Sequence, residues 1–281
     1  MFKKKNIVNK YFIVICTLII LIAAFLFGGY VFKREDSEHD YGVFLSLDAS
    51  GMDKIETYQT VVIDAQYFSK EDIMHLKEHG STVYSYINVG AIENFRNYYD
   101  TYSYLALGYY ENWDEEQWID VSSTVWQEFL AYLEEELMAK GIDGFFVDNC
   151  DVYYEYPTDD VFEGLTVILE HLMEHDRPVI INGGDTYVMK YKEIYGSSRR
   201  IMTGVNQESV WSKIDFETGK FDARSKEDRD YFEDYIEACK DDGLDVYLLE
   251  YTTDNVLKQK IKKYCADNQF HYYISDSIEL D

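Results

Sequence analysis

Beyond residue 40 the chain alternates short apolar runs with longer stretches whose apolar positions recur every three or four residues. The short runs have the length and composition of buried strands, and the longer ones the period of amphipathic helices. Eight strands are expected: Tyr41–Leu47, Val61–Ala65, Thr82–Asn88, Ile142–Asp148, Val179–Asn182, Arg200–Val205, Asp245–Glu250 and His271–Ile274. Helices are expected at Ser69–His79, Ser123–Lys140, Asp160–His175, Glu227–Lys240 and Asn255–Asp267. The first opens with Ser69 followed by acids in its first turn and stops at Gly80. The second carries Val125, Phe129, Tyr132, Leu133 and Leu137 on one face and stops at Gly141. Alternating β and α elements imply a parallel sheet. Eight strands within residues 41–281 suit an α/β fold of the (β/α)8 TIM-barrel type, for which ~250 residues is typical. An open doubly wound sheet is the rival, disfavoured because no glycine-rich phosphate loop follows the first strand.

The amino-terminal segment has a different pattern. Residues 11–32 carry no charge and are long enough to span a bilayer as a helix. Lys3, Lys4, Lys5 and Lys10 precede this segment, and Lys33 and Arg34 follow it. That bias orients the amino terminus to the cytoplasm and the remainder outside. The expected organisation is a basic tail (1–10), a transmembrane signal anchor (11–32), a linker (33–40) and a barrel (41–281). The bulky Phe25-Leu26-Phe27 and Tyr30-Val31-Phe32 disfavour cleavage as a signal peptide, although Ala23, Ala24, Gly28 and Gly29 leave that alternative open. The expected location is the cell membrane, single-pass, with the large domain extracellular.

Charge narrows the partners. All 53 acidic residues lie beyond residue 34, whereas six of the 26 basic ones lie at or before it. Phosphate repulsion argues against a nucleic-acid partner. A cationic ligand or polymer is compatible, as is simple solubility. Cys150, Cys239 and Cys265 show no metal-site or disulfide-framework spacing, and a Cys239–Cys265 pair is neither required nor excluded. His171 and His175 stand at i, i+4 without a His-Glu-x-x-His pattern, and read as a solvated helix face. No metal and no cofactor is expected.

Candidate chemistry lies at the strand ends. In a parallel barrel the carboxyl ends of all strands converge on one face. Reading off those ends gives Asp48, Asp64, Asn88, Asp148, Asp151, Asn182, Glu208 and Glu250. A single Asp there is ordinarily a helix cap, but Glu caps poorly. Two carboxylates across a sugar ring suffice for glycosidic cleavage. No Gly-x-Ser-x-Gly elbow or metal-ligand cluster supports ester hydrolysis or metal-dependent deacetylation. Between the third strand and the next long helix lies an aromatic stretch with Phe95, Tyr98, Tyr99, Tyr102, Tyr104, Tyr109, Tyr110, Trp113 and Trp118. Some of these rings are expected to line a glycan groove, and at least half to pack the loop onto the barrel.

The motifs Val61-Val62-Ile63-Asp64-Ala65, Tyr86-Ile87-Asn88-Val89-Gly90 with Glu93 and Arg96, Trp113 to Val121, Gly141 to Asn149, Asn206-Gln207-Glu208-Ser209 and Glu250-Tyr251 occur in one order along the chain. In these the chain resembles the glycoside hydrolase family 114 barrels, the endo-α-1,4-polygalactosaminidase-like proteins. The resemblance implies Asp148 at the nucleophile position and Glu208 as acid/base. It places Asp64, Tyr86, Asn88, Trp113, Asn149, Asn182, Gln207, Glu250 and Tyr251 at the sugar site. It also implies a cationic amino-sugar polysaccharide, α-1,4-linked galactosamine at least partly deacetylated, as substrate. Glu115-Glu116 departs from the Gly-Glu common in the family. A non-catalytic glycan-binding barrel in an exopolysaccharide or cell-wall complex is the alternative, and a structural scaffold for a membrane partner is a third.

Overall fold

The computed structural model describes residues 39–111 and 113–281. The expected tail, anchor and most of the linker lie outside the described residues. Among the described residues no helix is long and apolar enough to cross a membrane.

Eight parallel strands form one sheet: β1 (His39–Phe44), β2 (Tyr58–Ile63), β3 (Thr82–Asn88), β4 (Gly144–Asp148), β5 (Val179–Asn182), β6 (Gly204–Glu208), β7 (Asp245–Tyr251) and β8 (His271–Ser275). They pair in sequence order from β1 to β8. The two end strands approach each other and nearly close the ring. There the Phe44 and Tyr273 rings lie 5.4 Å apart, and His271 Nδ1 lies 2.5 Å from Asp40 Oδ2. The fold is therefore the expected (β/α)8 barrel type. Helices at Lys70–Glu78, Thr124–Lys140, Asp159–Met173, Asp185–Tyr195, Lys226–Asp241 and Asn255–Asn268 form its outer layer. The strands read as unbroken apolar runs because both faces are covered, as in β5, where all four residues are buried.

Local chemistry sets the element ends. Ser69 and Asp72 form a reciprocal capping box at the start of Lys70–Glu78. Gly141, at φ 98°, ends Thr124–Lys140 in the left-handed conformation that glycine adopts without steric cost. The buried face of that helix differs from the expected one. Val125 and Tyr132 are exposed, while Trp126, Phe129, Leu130, Leu133, Glu134 and Leu137 are buried. The face is turned so that Trp126 can donate its Nε1 hydrogen to the Val89 carbonyl at the end of β3, 2.8 Å away.

Two expectations are corrected. The sixth strand is Gly204–Glu208, not Arg200–Val205. Ile201 and Met202 are fully buried but belong to the preceding loop, so their apolarity imitated a strand start. Glu208 is consequently the last residue of the strand itself. The helix Asp185–Tyr195 had no sequence expectation; its buried positions Tyr187, Val188 and Tyr191 form too short a stripe to stand out. Cys150, Cys239 and Cys265 are buried and free.

The long β3–β4 connection is structured. Ala91–Glu93, Glu116–Ile119 and Ala106–Tyr109 form a three-stranded antiparallel sheet on the carboxyl end of the barrel. Gly90 sits at its root. A Cβ there would lie 1.8 Å from the Asn149 carbonyl oxygen, so the two loops can touch only through glycine. Gly90→Ala is expected to separate the small sheet from the end of β4. A loss of about 3 kcal/mol, the upper end of ordinary overpacking, would appear as a fall in Tm by scanning calorimetry.

Candidate active site

The carboxyl ends of the strands open into a cleft of about 1140 Å³. At its floor β4 delivers Asp148 and β6 delivers Glu208. Immediately after each carboxylate the chain turns through a left-handed residue, Asn149 at φ 65° and Ser209 at φ 54°. Outside glycine this conformation is uncommon, with asparagine among the residues that tolerate it best. The Ser209 turn is held by its amide donating to the Leu249 carbonyl on β7 at 2.8 Å. These turns stop each strand with its last side chain directed at the cleft.

Asn182, at the end of β5, lies between the two acids. Its single Nδ2 donates to Asp148 Oδ1 at 3.0 Å and to Glu208 Oε1 at 2.7 Å. Those two oxygens therefore cannot be more than about 6 Å apart, close enough for both carboxyl groups to act on one sugar ring. The Asn182 amide is oriented in turn, because its Oδ1 accepts from Asn206 Nδ2 at 2.7 Å and Asn206 Oδ1 accepts from the Tyr41 hydroxyl at 3.1 Å. Three barrel strands thus lock one amide.

Burial raises the pKa of both acids, but their surroundings differ. Asp148 also accepts from the Asn149 amide at 3.0 Å and faces the Tyr86 hydroxyl, which donates to Glu93 Oε1 at 3.2 Å. Glu208 accepts from the Tyr251 hydroxyl at 2.8 Å. After burial, the next cause raising Glu208 is the negative charge of Asp148. Two acids this close do not readily ionise together, so the pair can hold one proton between them, as acid/base cleavage needs.

Around the pair the expected residues separate into two groups. Tyr86, Asp64, Trp113, Asn149, Asn182, Gln207 and Tyr251 line the cleft. Asp64 is tied there by Arg96 Nη1 at 2.5 Å, while Arg96 also donates from Nε and Nη2 to Glu93 at 3.1 and 2.9 Å. Asn88 stands behind the wall: its Oδ1 accepts from the Ala91 amide and its Nδ2 donates to Glu116 at 3.3 Å. Glu250 does not reach the cleft. It is fully buried, and its oxygens accept from the Trp211 and Ser212 amides and the Ser212 hydroxyl. Its work is to anchor the hairpin Ser212–Asp215/Lys220–Ala223 that follows β6, which corrects its expected place at the sugar site. Asp48 caps a short turn through the Ser50 amide and hydroxyl, as the ordinary reading of a strand-end Asp supposes.

The aromatic loop contributes Phe95, Tyr110 and Trp113 to the cleft. Tyr98, Tyr99 and Tyr102 pack against the barrel, where Tyr98 and Tyr102 meet Phe129 at 4.6 and 4.4 Å. Trp118 is buried and stacks on Tyr110 at 4.2 Å, while Tyr104 and Tyr109 are exposed away from the cleft. Trp113 also meets Phe216, from the hairpin after β6, edge to face at 6.0 Å. The rim is therefore made by two connections remote in sequence.

Glu116 is a further cleft residue, which the strand-end reading missed because it lies in the β3–β4 excursion. It accepts from Asn88 Nδ2 and from Asn149 Nδ2, the latter at 3.1 Å. Burial, then the charges of Glu93 and Asp148, push it up to about 8. Asp151 is raised to about 7 by burial and by Asp185 and Asp148. In all, ten carboxylates and two arginines line the cleft, and Arg96 is already engaged by two of the acids.

A (β/α)8 barrel with two carboxylates at this spacing across its mouth defines the protein as a glycosidase. The match is more specific than that class: the model of glycoside-hydrolase family GH114 covers residues 35–184, and the chain belongs to that family. The matched span includes Asp148 and Asn182 and ends before Glu208. Among solved structures the chain is similar to the glycoside hydrolase domain of PelA from Pseudomonas aeruginosa, at TM-score 0.73 and 19% identity over 86% of this chain and 96% of that one. It is also similar to Aspergillus fumigatus Ega3, solved in complex with galactosamine, at TM-score 0.65 and 16% identity over 88% and 93%. The α-galactosidase of Thermus thermophilus follows at TM-score 0.55 and 9% identity over 83% and 57%. A search of curated protein sequences gave no match.

Glu116 provides a test of these electrostatics. Its folded pKa of about 8 lies above the unfolded value of ~4.3, so the folded state holds the proton more tightly. Its contribution is then fully present below pH ~4.3 and is lost as pH rises through about 8. Tm measured from pH 5 to 9 is expected to fall less steeply in Glu116→Gln than in the parent protein.

Proposed function

We propose that the protein is a retaining glycosidase of galactosamine-containing polysaccharide, with Asp148 as nucleophile and Glu208 as acid/base. The observation that supports this reading is the shared Asn182 amide, which keeps one oxygen of each carboxylate within about 6 Å of the other, compatible with the ~5–5.5 Å carboxyl separation of retaining enzymes. Asp148 attacks the anomeric carbon as its bond to the glycosidic oxygen breaks, and Glu208 gives its proton to that oxygen. Water then attacks the glycosyl–Asp148 ester while Glu208 takes back a proton. Two inversions return an α product from an α linkage.

Family membership supports an amino-sugar substrate, as does Ega3, whose structure holds galactosamine. The cleft supports a cationic one. Ten carboxylates around a channel with Trp113, Phe95 and Phe216 at its rim offer ammonium partners beside ring faces. Free galactosamine amines complete what the excess of acids lacks. An N-acetylated neutral polymer leaves those charges without counterparts. The polymer is thus α-1,4-linked galactosamine, at least partly deacetylated. The uncharged residues 11–32, with their basic flanks, support a membrane-anchored protein whose barrel is extracellular.

Partly deacetylated α-1,4-galactosaminan is expected to be cleaved, as read by mass spectrometry. NMR of the first products should show the α anomer. First-formed β product would overturn retention, and cleavage of the fully N-acetylated polymer alone would overturn the charge argument. Asp148→Asn and Glu208→Gln should each lower kcat by about 10³-fold, within the range for acid–base groups. Turnover unchanged by either would remove the assignment, and tight binding without cleavage by the parent protein would favour a glycan-binding barrel. Burial places both limbs of the kcat–pH profile above the ordinary carboxylate values. The acid limb reports Asp148 ionising, and the alkaline limb reports Glu208 losing its proton.

A further inference from the structure

On the outer helical layer, away from the cleft, a buried carboxylate has no hydrogen-bond partner. Glu134 projects from the buried face of Thr124–Lys140 and is 1% exposed. Neither of its oxygens accepts a hydrogen bond among the described residues. Desolvating such a group without a donor is costly, and an apolar residue at this position would avoid the cost.

Two imidazoles face this carboxylate. His171 Nε2 lies 3.4 Å from Glu134 Oε2, and His175 Nε2 lies 3.3 Å from Oε1, without hydrogen-bond geometry. One donor atom from each of the three residues falls within 4.8 Å of the others. A tetrahedral zinc ion with bonds of ~2.0–2.2 Å holds its ligands about 3.3 Å apart, and each imidazole stands at about that distance from its own oxygen of the Glu134 carboxylate. The imidazole planes are 87° apart, so the rings approach from different directions. The other nitrogen of His171, Nδ1, faces Glu174 Oε2 at 3.5 Å, an orienting partner of the sort metal-bound histidines use.

We propose that Glu134, His171 and His175 bind a divalent transition-metal ion, zinc by its preference for this nitrogen and oxygen donor set. The ion supplies the counter-charge that Glu134 lacks. It joins Thr124–Lys140 to the carboxyl end of Asp159–Met173, beyond which His175 lies in the following turn. A groove of about 290 Å³ between the two helices reaches Glu134 and His171 from solvent. The site stands independently of the glycosidase assignment and fastens the wall behind β3, where Ile87 lines the same groove.

The i, i+4 histidines alone read as a solvated face because their partner is some forty residues away on another helix. A second group, Glu56, His75 and His79, is more exposed and already satisfied, with His75 Nε2 3.0 Å from Glu56 Oε2 and His79 Nδ1 2.9 Å from the His75 carbonyl. It serves as the control.

The test uses the metal-stripped full chain, purified in detergent, with Zn²⁺ as probe at pH 7.5. Calorimetric titration should show one ion bound at this site and a Tm raised by several degrees. The double variant His171→Ala/His175→Ala should lose both effects, and Glu134→Gln, a neutral isostere, should weaken them at least tenfold. His75→Ala/His79→Ala should keep them. Co²⁺ should give a tetrahedral visible spectrum that His171→Ala/His175→Ala removes. No zinc binding by the parent chain overturns the proposal. So does binding that survives His171→Ala/His175→Ala, or that disappears only in His75→Ala/His79→Ala.

Discussion

One side-chain amide organises the mouth of this barrel. Asn182 Nδ2 reaches Asp148 on one side and Glu208 on the other. Two carboxylates brought this close without a donor between them would repel, and at least one would turn away or take up a proton. The bridging amide donates to one oxygen of each acid, so both side chains remain directed at the cleft whichever of them holds a proton. Its own orientation depends on Asn206 and, through Asn206, on Tyr41 across the barrel. The spacing of the two acids therefore inherits its precision from strand register: β5 pairs with β6 so that Asn182 stands opposite Asn206. Strands are stiffer supports than loops, and a site built at their ends moves only if the sheet moves.

The second constraint is electrostatic. Carboxylates are crowded into the cleft far beyond what the two arginines can neutralise. Arg96 illustrates the local solution, donating to Asp64 and to Glu93 from a buried position that keeps it firmly protonated. Breaking such a buried pair by removing one partner is typically worth 3–5 kcal/mol, so this corner of the cleft is structural as well as acidic. Glu116 shows the other solution, remaining neutral until pH rises to about 8. An incoming cation would lower that value and recruit the carboxylate as an anion. Holding Glu116 in the cleft thus costs the fold stability at alkaline pH.

Much of this was legible in the chain. The alternation of apolar runs and helical periods specified a parallel barrel, because a strand buried on both faces must be apolar throughout. Asp148 and Asn182 followed from that topology as strand-end residues, whereas Glu208 lay just beyond the expected sixth strand and proves to be the last residue of β6. Other readings failed for identifiable reasons. Ile201 and Met202 look like a strand because a buried loop needs the same apolarity. Glu250 looks like a site residue because strand ends share one face, yet its oxygens are consumed by the Trp211 and Ser212 amides. Nothing in its immediate sequence distinguishes it from Glu208.

By itself the sequence determined the fold type, the acidic character of the large domain and the uncharged segment at residues 11–32. Each is a property of periodicity, composition or order along the chain. Tertiary structure alone decided that Glu116 joins the cleft, that Glu250 does not, that Trp113 closes on Phe216, and that Glu134 faces His171 and His175. All four depend on contacts between elements far apart in sequence. Pattern shows which residues leave water, but a polar side chain's role is set by the partner it meets there, and the fold chooses that partner.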